Sequence, residues 1–284
     1  MGTSISLIIS TFNRPELLSL ALLSAAAQRR PPDEVLVADD GSSAVMMGAI
    51  DRLLPRLPFP VVYVTQADAG FRLARARNNG ARAASGEYLV STDQDILFTP
   101  GYLETYARYA APGRFLVSSI VRLDEEQTAR VTEETISRSA LRPLVTRAQA
   151  GEVAKQHRKD AFYAMLRRLR LRSIGPKLRG GVFGVWKKDL VAVNGFDERY
   201  IGWGNEDDDL GHRLDRYGVT GMNPFCRDFP VHLWHPANNG GGVRVNREYY
   251  EMRLGRIARG EYRAEFGLDN PLGDDLPVVT RFPR

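Results

Sequence analysis

Strand-length apolar runs alternate with helical segments through residues 5–92, and three of the runs end in a polar motif. Ile5 to Ser10 is the first run, and Glu16 to Ala27, behind Pro15, reads as an amphipathic helix. Glu34 to Ala38 is a second strand, Val61 to Thr65 a third, Leu73 to Ala84 a helix of Ala and Arg, and Tyr88 to Thr92 a fourth strand. Strand, helix, strand in that rhythm predicts an α/β fold with a mostly parallel sheet flanked by helices. Such sheets bind ligands at the carboxyl ends of their strands, where Thr11 to Arg14, Asp39 to Ser42 and Asp93 to Asp95 stand. A chain of 284 residues with 43% hydrophobic content can bury one large α/β core.

A second feature lies far downstream. In Gly202-Trp203-Gly204-Asn205-Glu206-Asp207-Asp208-Asp209 a run of acids follows a Gly-Trp-Gly turn. Adjacent carboxylates repel and burial raises their pKa values, so the run costs stability unless water, a cation or a hydroxyl-bearing substrate relieves it. It equally suits the acidic first turn of a helix continuing through Leu210 to Tyr217, where the helix dipole favours negative charge. The two readings are compatible. Asp93-Gln94-Asp95, set between an apolar strand and the Pro100-Gly101 turn, favours the functional one.

The net charge of +5 is uneven: Arg142 to Arg179 holds eleven Lys and Arg against Glu152 and Asp160, a local +9 that leaves −4 on the rest. Phe162, Leu166 and Leu169 share one helical face there, flanked by Arg167, Arg168, Arg170 and Arg172. Two readings stay open, a helix docked by that stripe or one lying on an anionic surface; nucleic acid is a further partner that such a run can serve. The single cysteine, Cys226, excludes an intrachain disulfide and is expected to be a small core residue in a reducing compartment. Without a basic region leading a long apolar stretch, a soluble cytoplasmic protein is expected, with peripheral contact at the inner membrane face through 142–179. Asn238-Asn239-Gly240-Gly241-Gly242 reads as a mobile loop.

In order, Thr11-Phe12-Asn13-Arg14-Pro15, Asp39-Asp40-Gly41-Ser42, Arg77-Asn78 before Gly86-Glu87-Tyr88, and Asp93-Gln94-Asp95 resemble an inverting family 2 glycosyltransferase of GT-A fold. Gly180-Gly181-Val182-Phe183-Gly184, Val193-Asn194-Gly195-Phe196-Asp197-Glu198 and the acidic run resemble the C-terminal half of the β-1,4-galactosyltransferases and of bacterial polysaccharide polymerases. The resemblance implies a nucleotide-sugar-binding half at 1–120, a basic helical insertion at 121–178, an acceptor-binding and catalytic half at 179–260 and a tail at 261–284. It implies sugar transfer from a nucleotide donor, UDP-linked by expectation, to a hydroxyl of a glycan or lipid-linked glycan in polysaccharide biosynthesis.

The diphosphate of such a donor leaves with charge to be stabilised, and Asp93 and Asp95, on alternate residues of one extended segment, can hold Mn²⁺ or Mg²⁺ with hard oxygen ligands. By resemblance Asp95 binds the metal directly, Asp93 the ribose or a metal-bound water, and His232 of Val231-His232-Leu233-Trp234-His235 completes the ligands; His235 would orient a phosphate or loop. Asp40 is expected to accept from the base, with Phe12 and Phe71 stacking, Thr11 and Gln94 lining the nucleotide, and Arg14 and Arg77 neutralising phosphate or bracing the site. Asn78 is expected to face the nucleotide, although Asn79 competes for that place. Inversion needs one carboxylate to take the acceptor proton. The resemblance puts that base at Asp207, with Glu206 and Asp208 on acceptor hydroxyls, Asp209 at the helix start, Trp203 against a sugar face, and Gly180 and Gly181 letting backbone approach the donor. Trp186 and Trp234 read as core.

Two other functions compete. Sugar nucleotidyltransferases share a similar sheet but carry a Gly-rich basic loop after the first strand, and Ser10 to Arg14 contains no glycine. A non-catalytic glycan or nucleic-acid binder would need no acids at every expected position.

Overall fold

The four strands expected at the N-terminus are present to within one residue, as β1 (Ile5–Thr11), β2 (Glu34–Asp39), β3 (Val61–Thr65) and β4 (Tyr88–Asp93), all parallel. The computed structural model describes residues 2–172, 174–236 and 245–282, so the Asn238 to Gly242 stretch lies outside the described residues. Every residue of β1 and β2 is buried, which is why they read as continuous apolar runs rather than alternating ones. Helices Pro15–Ala26, Val45–Leu53 and Leu73–Ala83 make the crossovers. Ile5, Leu7 and Ile9 pack on one face with Leu18, Leu22 and Ile50. Ile8, Leu36 and Val62 pack on the other with Leu210 and Leu214.

From β1 the chain runs outward to β3, then returns to lay β4 on the other side of β1. This reversal opens a crevice at the carboxyl ends of β1 and β4, where Ser10 stands opposite Asp93. The remaining strands are β5 (Ile96–Phe98), β6 (Arg114–Val117), β7 (Val121–Arg122), β8 (Val182–Trp186), β9 (Thr220–Met222), β10 (Pro230–His232) and β11 (Val278–Phe282). The large sheet is ordered β11-β3-β2-β1-β4-β8-β6-β9, with β8 antiparallel to β4 and β11 antiparallel to β3. A second sheet, β5-β10-β7, stands beside it. Its register places His232 opposite Ile96, and the Leu233 N–H donates to the Asp95 carbonyl at 2.9 Å.

Two expectations are corrected by packing, and one that stood open is narrowed. Cys226 is exposed rather than core. Trp234 is also exposed, its backbone N–H held by the Thr128 hydroxyl, whereas Trp186 packs edge-on against Tyr88 as a core residue would. The helix Arg147–Arg168 starts at a Thr146–Gln149 capping box, yet its Phe162 and Leu169 face outward. It docks instead through Val153, through Asp160, which accepts from Arg179 and Asn223, and through Arg167 paired with Asp215.

Candidate active site

The pairing of β5 with β10 carries Asp95 and two histidines to one point. Asp95 Oδ2 lies 2.9 Å from His235 Nε2 and 3.7 Å from His232 Nε2, and one ligand atom from each of the three residues falls within 4.8 Å of the others. His235 Nδ1 stands 2.9 Å from the Pro236 carbonyl, a contact that is favourable only if Nδ1–H donates. In a neutral ring the Nε2 lone pair then faces a carboxylate oxygen, and two acceptors at that distance need a proton or a cation between them. Asp95 Oδ1 is buried without a hydrogen-bond partner. A carboxylate and two imidazoles with an unused buried oxygen fit Mn²⁺ or a similar divalent ion. His232 and His235 therefore enter as a pair, where the sequence suggested His232 alone.

Asp93 stands outside that group. Its Oδ1 accepts from Arg77 Nη2 at 2.9 Å, and its Oδ2 lies where a Cβ on Gly181 would collide. Gly181 also has φ +73°, so both space and backbone require glycine there. Arg77 is buried and spends its other arm on Glu206 Oε1 at 3.2 Å. It braces the Asp93 and Glu206 motifs against each other, the second of the two roles expected for it; the phosphate role is not met, since a side chain 2% exposed and doubly paired does not reach one.

The acidic run forms the first turn of the helix Glu206–Tyr217, as the dipole argument expects. Burial, then the charge of Asp207, push the Glu206 carboxyl up to about 7 against the opposing pull of Arg77. Asp207 Oδ2 accepts from the Gly180 N–H at 2.7 Å and Oδ1 from the Asp208 N–H at 2.9 Å. Asp208 faces Lys177 at 3.6 Å. Asp209 does more than start the helix: it is fully buried between Arg213 and Arg253. Trp203 is partly exposed on a turn whose Gly202 N–H donates to the Phe71 carbonyl at 2.8 Å, joining it to the Phe71 loop.

Around Asp40 the backbone N–H of Arg72 donates at 2.7 Å, Gln66 Nε2 at 2.6 Å, and Asp40's own N–H donates to the Thr11 carbonyl. Burial pushes its carboxyl up to about 6 despite those bonds. Phe12 and Phe71, each one residue from a backbone bond to Asp40, are 40% and 45% exposed and offer ring faces. Gln94 clamps the first loop, its Oε1 accepting from the Thr11 hydroxyl and the Phe12 N–H. Arg14 stands at the N-cap position of the first helix, half-buried and without a side-chain capping bond. Asn78 is corrected: it exchanges bonds with the Phe196 peptide and donates to Glu198, fully buried. Asn79 instead reaches Gln66 at 2.8 Å and through it Asp40.

The elevated Glu206 carboxyl carries a pH signature. The native state holds a proton that the unfolded chain, near 4.5, has already released, so this group's contribution to stability falls as pH rises from about 4.5 to 7. Glu206→Gln removes that dependence. Relative to wild type it is expected to gain on the order of 2 kcal/mol between pH 5 and pH 8, read from urea midpoints at both values. An unchanged difference would mean that Glu206 titrates normally.

A family model described as glycosyl transferase family 2 matches residues 6–174, and one described as the N-terminal domain of galactosyltransferase matches residues 160–236. Validoxylamine A glucosyltransferase of Streptomyces hygroscopicus subsp. limoneus is 32% identical over 225 residues, 76% of this chain and 48% of its own. Chondroitin synthase of Escherichia coli is 28% identical over 227 residues, 75% of this chain and 32% of its own. The chain spans about half the length of the validoxylamine A glucosyltransferases it matches. A mannosyltransferase from Pyrobaculum calidifontis, solved with GDP-Man and Mn²⁺, superposes with TM-score 0.56 at 18% identity over 91% of this chain and 65% of that one. GalNAc-T7 with UDP, GalNAc and Mn²⁺ gives 0.58 at 17% over 91% and 48%. At such identities these two likenesses show the fold, which is GT-A.

Proposed function

Because the chain belongs to glycosyl transferase family 2, we propose that it moves a sugar from a nucleotide-sugar donor, UDP-linked by preference, to a hydroxyl of a glycan or lipid-linked glycan, with inversion. The observation that carries this reading is the Asp95, His232 and His235 cluster at the crevice between β1 and β4. A divalent ion bound there would stabilise the negative charge of the departing diphosphate. Asp40, with Phe12 and Phe71 beside it, would hold the base. Arg77 keeps the Asp93 and Glu206 motifs in register, so donor and acceptor sides form one site. Asp207, fixed by two backbone N–H groups, would take the acceptor proton on the face opposite the leaving group. Trp203 would cover the sugar.

Titration calorimetry with UDP- and GDP-sugars in Mn²⁺, Mg²⁺ or chelator tests this. One donor is expected to bind only with metal, and Asp95→Ala to weaken it by at least the roughly 10–100-fold that lesser changes around a metal cost. Equal affinity in chelator, or in Asp95→Ala, would remove the metal from the reading.

A further inference from the structure

A helix docked on a protein by one side normally turns a polar face to water along its whole length, whereas Arg147–Arg168 does so only over its first half, where Gly151, Lys155 and Arg158 face outward. At about 100° per residue, Val153, Asp160 and Arg167 fall on its inner side, and all three have packing or ion-pair partners. The opposite sector, about 80° wide by the same spacing, carries Lys155, Arg158, Phe162, Met165 and Leu169. Phe162, Met165 and Leu169 are 52%, 47% and 58% exposed, and Leu171 just beyond the helix is 72% exposed. Arg168 and Arg170 are exposed beside them. Asp160, the one acid between Lys155 and Arg172, is buried and neutralised by Arg179. The outward face is thus cationic and apolar together.

We propose that this face is a docking surface for an anionic lipid bilayer, with Phe162, Met165, Leu169 and Leu171 entering the headgroup boundary and Arg158, Lys159, Arg168 and Arg170 meeting lipid phosphates. The combination selects the occupant. A second copy of the same face would bring like charges together, and a nucleic acid would leave the aliphatic side chains without a role. A bilayer uses both, since apolar side chains and attraction to anionic headgroups add in interfacial helices. Among the described residues no helix is long and apolar enough to cross a membrane, so the contact is peripheral. The same segment runs into the site: Arg167 pairs with Asp215 of the acidic helix, Lys177 with Asp208, and the Gly180 N–H with Asp207. Docking here would present the acceptor side of the crevice beside the membrane.

Flotation with vesicles of phosphatidylcholine alone, or of phosphatidylcholine with phosphatidylglycerol, tests the surface. The protein is expected to float only with the anionic vesicles and to be released by salt, since each Lys or Arg at an anionic surface strengthens binding about five-fold. Phe162→Glu, Met165→Glu and Leu169→Glu combined should abolish flotation with an unchanged urea midpoint, because the replaced side chains are exposed. Arg168→Glu with Arg170→Glu should weaken it by about ten-fold or more. Equal recovery from both vesicle types, no recovery from either, binding to RNA in preference to anionic vesicles, or self-association that the triple substitution removes would each overturn the proposal.

Discussion

Asp207→Asn is expected to lower the turnover of transfer by about 10²–10⁴-fold, the range supplied by a positioned general base, while donor affinity stays within about two-fold of wild type. The amide keeps the shape of the carboxylate but cannot accept the acceptor's proton. It also gives up one of two acceptors, since Asp207 takes N–H bonds from both Gly180 and Asp208, so a fall of about 1 kcal/mol in stability accompanies the change. Steady-state transfer and donor calorimetry on the same preparation separate the effects. Were turnover to fall less than about ten-fold, far short of a general base's share, the proton would go to a neighbour such as Asp208. Were donor affinity to fall in step with turnover, Asp207 would be holding the Gly180 backbone rather than doing proton transfer.

Asp209→Ala is expected to destabilise the protein by about 3–5 kcal/mol, the cost of stranding a buried charge. Asp209 Oδ2 accepts from Arg213 Nε at 2.5 Å and its Oδ1 from Arg253 Nε at 3.4 Å; Arg253 Nε also lies 3.5 Å from Asp197. These four side chains are fully buried. Removing this carboxylate leaves Arg253 with Asp197 and Glu261 but strands Arg213 with only the Val193 carbonyl, and Arg213 Nη2 and Arg253 Nη2 already lack partners. The network ties the first turn of Glu206–Tyr217 to helix Arg247–Ala258 and to the Asp197 turn, so activity should fall with stability. Pairing Asp209→Leu with Arg213→Met removes a charge of each sign and should recover much of the loss in urea unfolding. A double substitution no better than Asp209→Ala would show that shape, not charge balance, sets the cost.

The sheet was readable because its strands are buried on both faces, so Ile5 to Ser10 and Tyr88 to Thr92 appear as mostly apolar runs, broken only by small hydroxyl residues, without a polar face. The acids were readable for the same reason in reverse, as charge where a core was ending. What escaped was pairing at long range. Nothing local in Arg77 says that it faces Asp93 and Glu206 at once, and an arginine among alanines on a helix looks solvated. Asn78 and Asn79 differ only in which side of one helix they occupy, and a shift of one residue exchanges a clasp on Phe196 for a link to Asp40. His235 was ranked below His232, because only the fold brings it nearer to Asp95, at 2.9 Å against 3.7 Å. Asp209 looked like one more member of an acidic turn. Its burial depends on Arg253, which lies 44 residues away.

The Gly-Trp-Gly-Asn letters before the acids carry information of a different kind from the acids themselves. Gly202, Gly204 and Asn205 have φ of +82°, +101° and +75°, a region that side chains beyond asparagine rarely enter. Three of those four letters therefore specify a path, and only Trp203 is free to specify a contact. A descendant that kept Glu206, Asp207 and Asp208 but replaced Gly204 would retain every chemical group by which the motif is recognised and lose the backbone that aims them. Within this signature the glycines are the better witnesses of a working enzyme than the carboxylates.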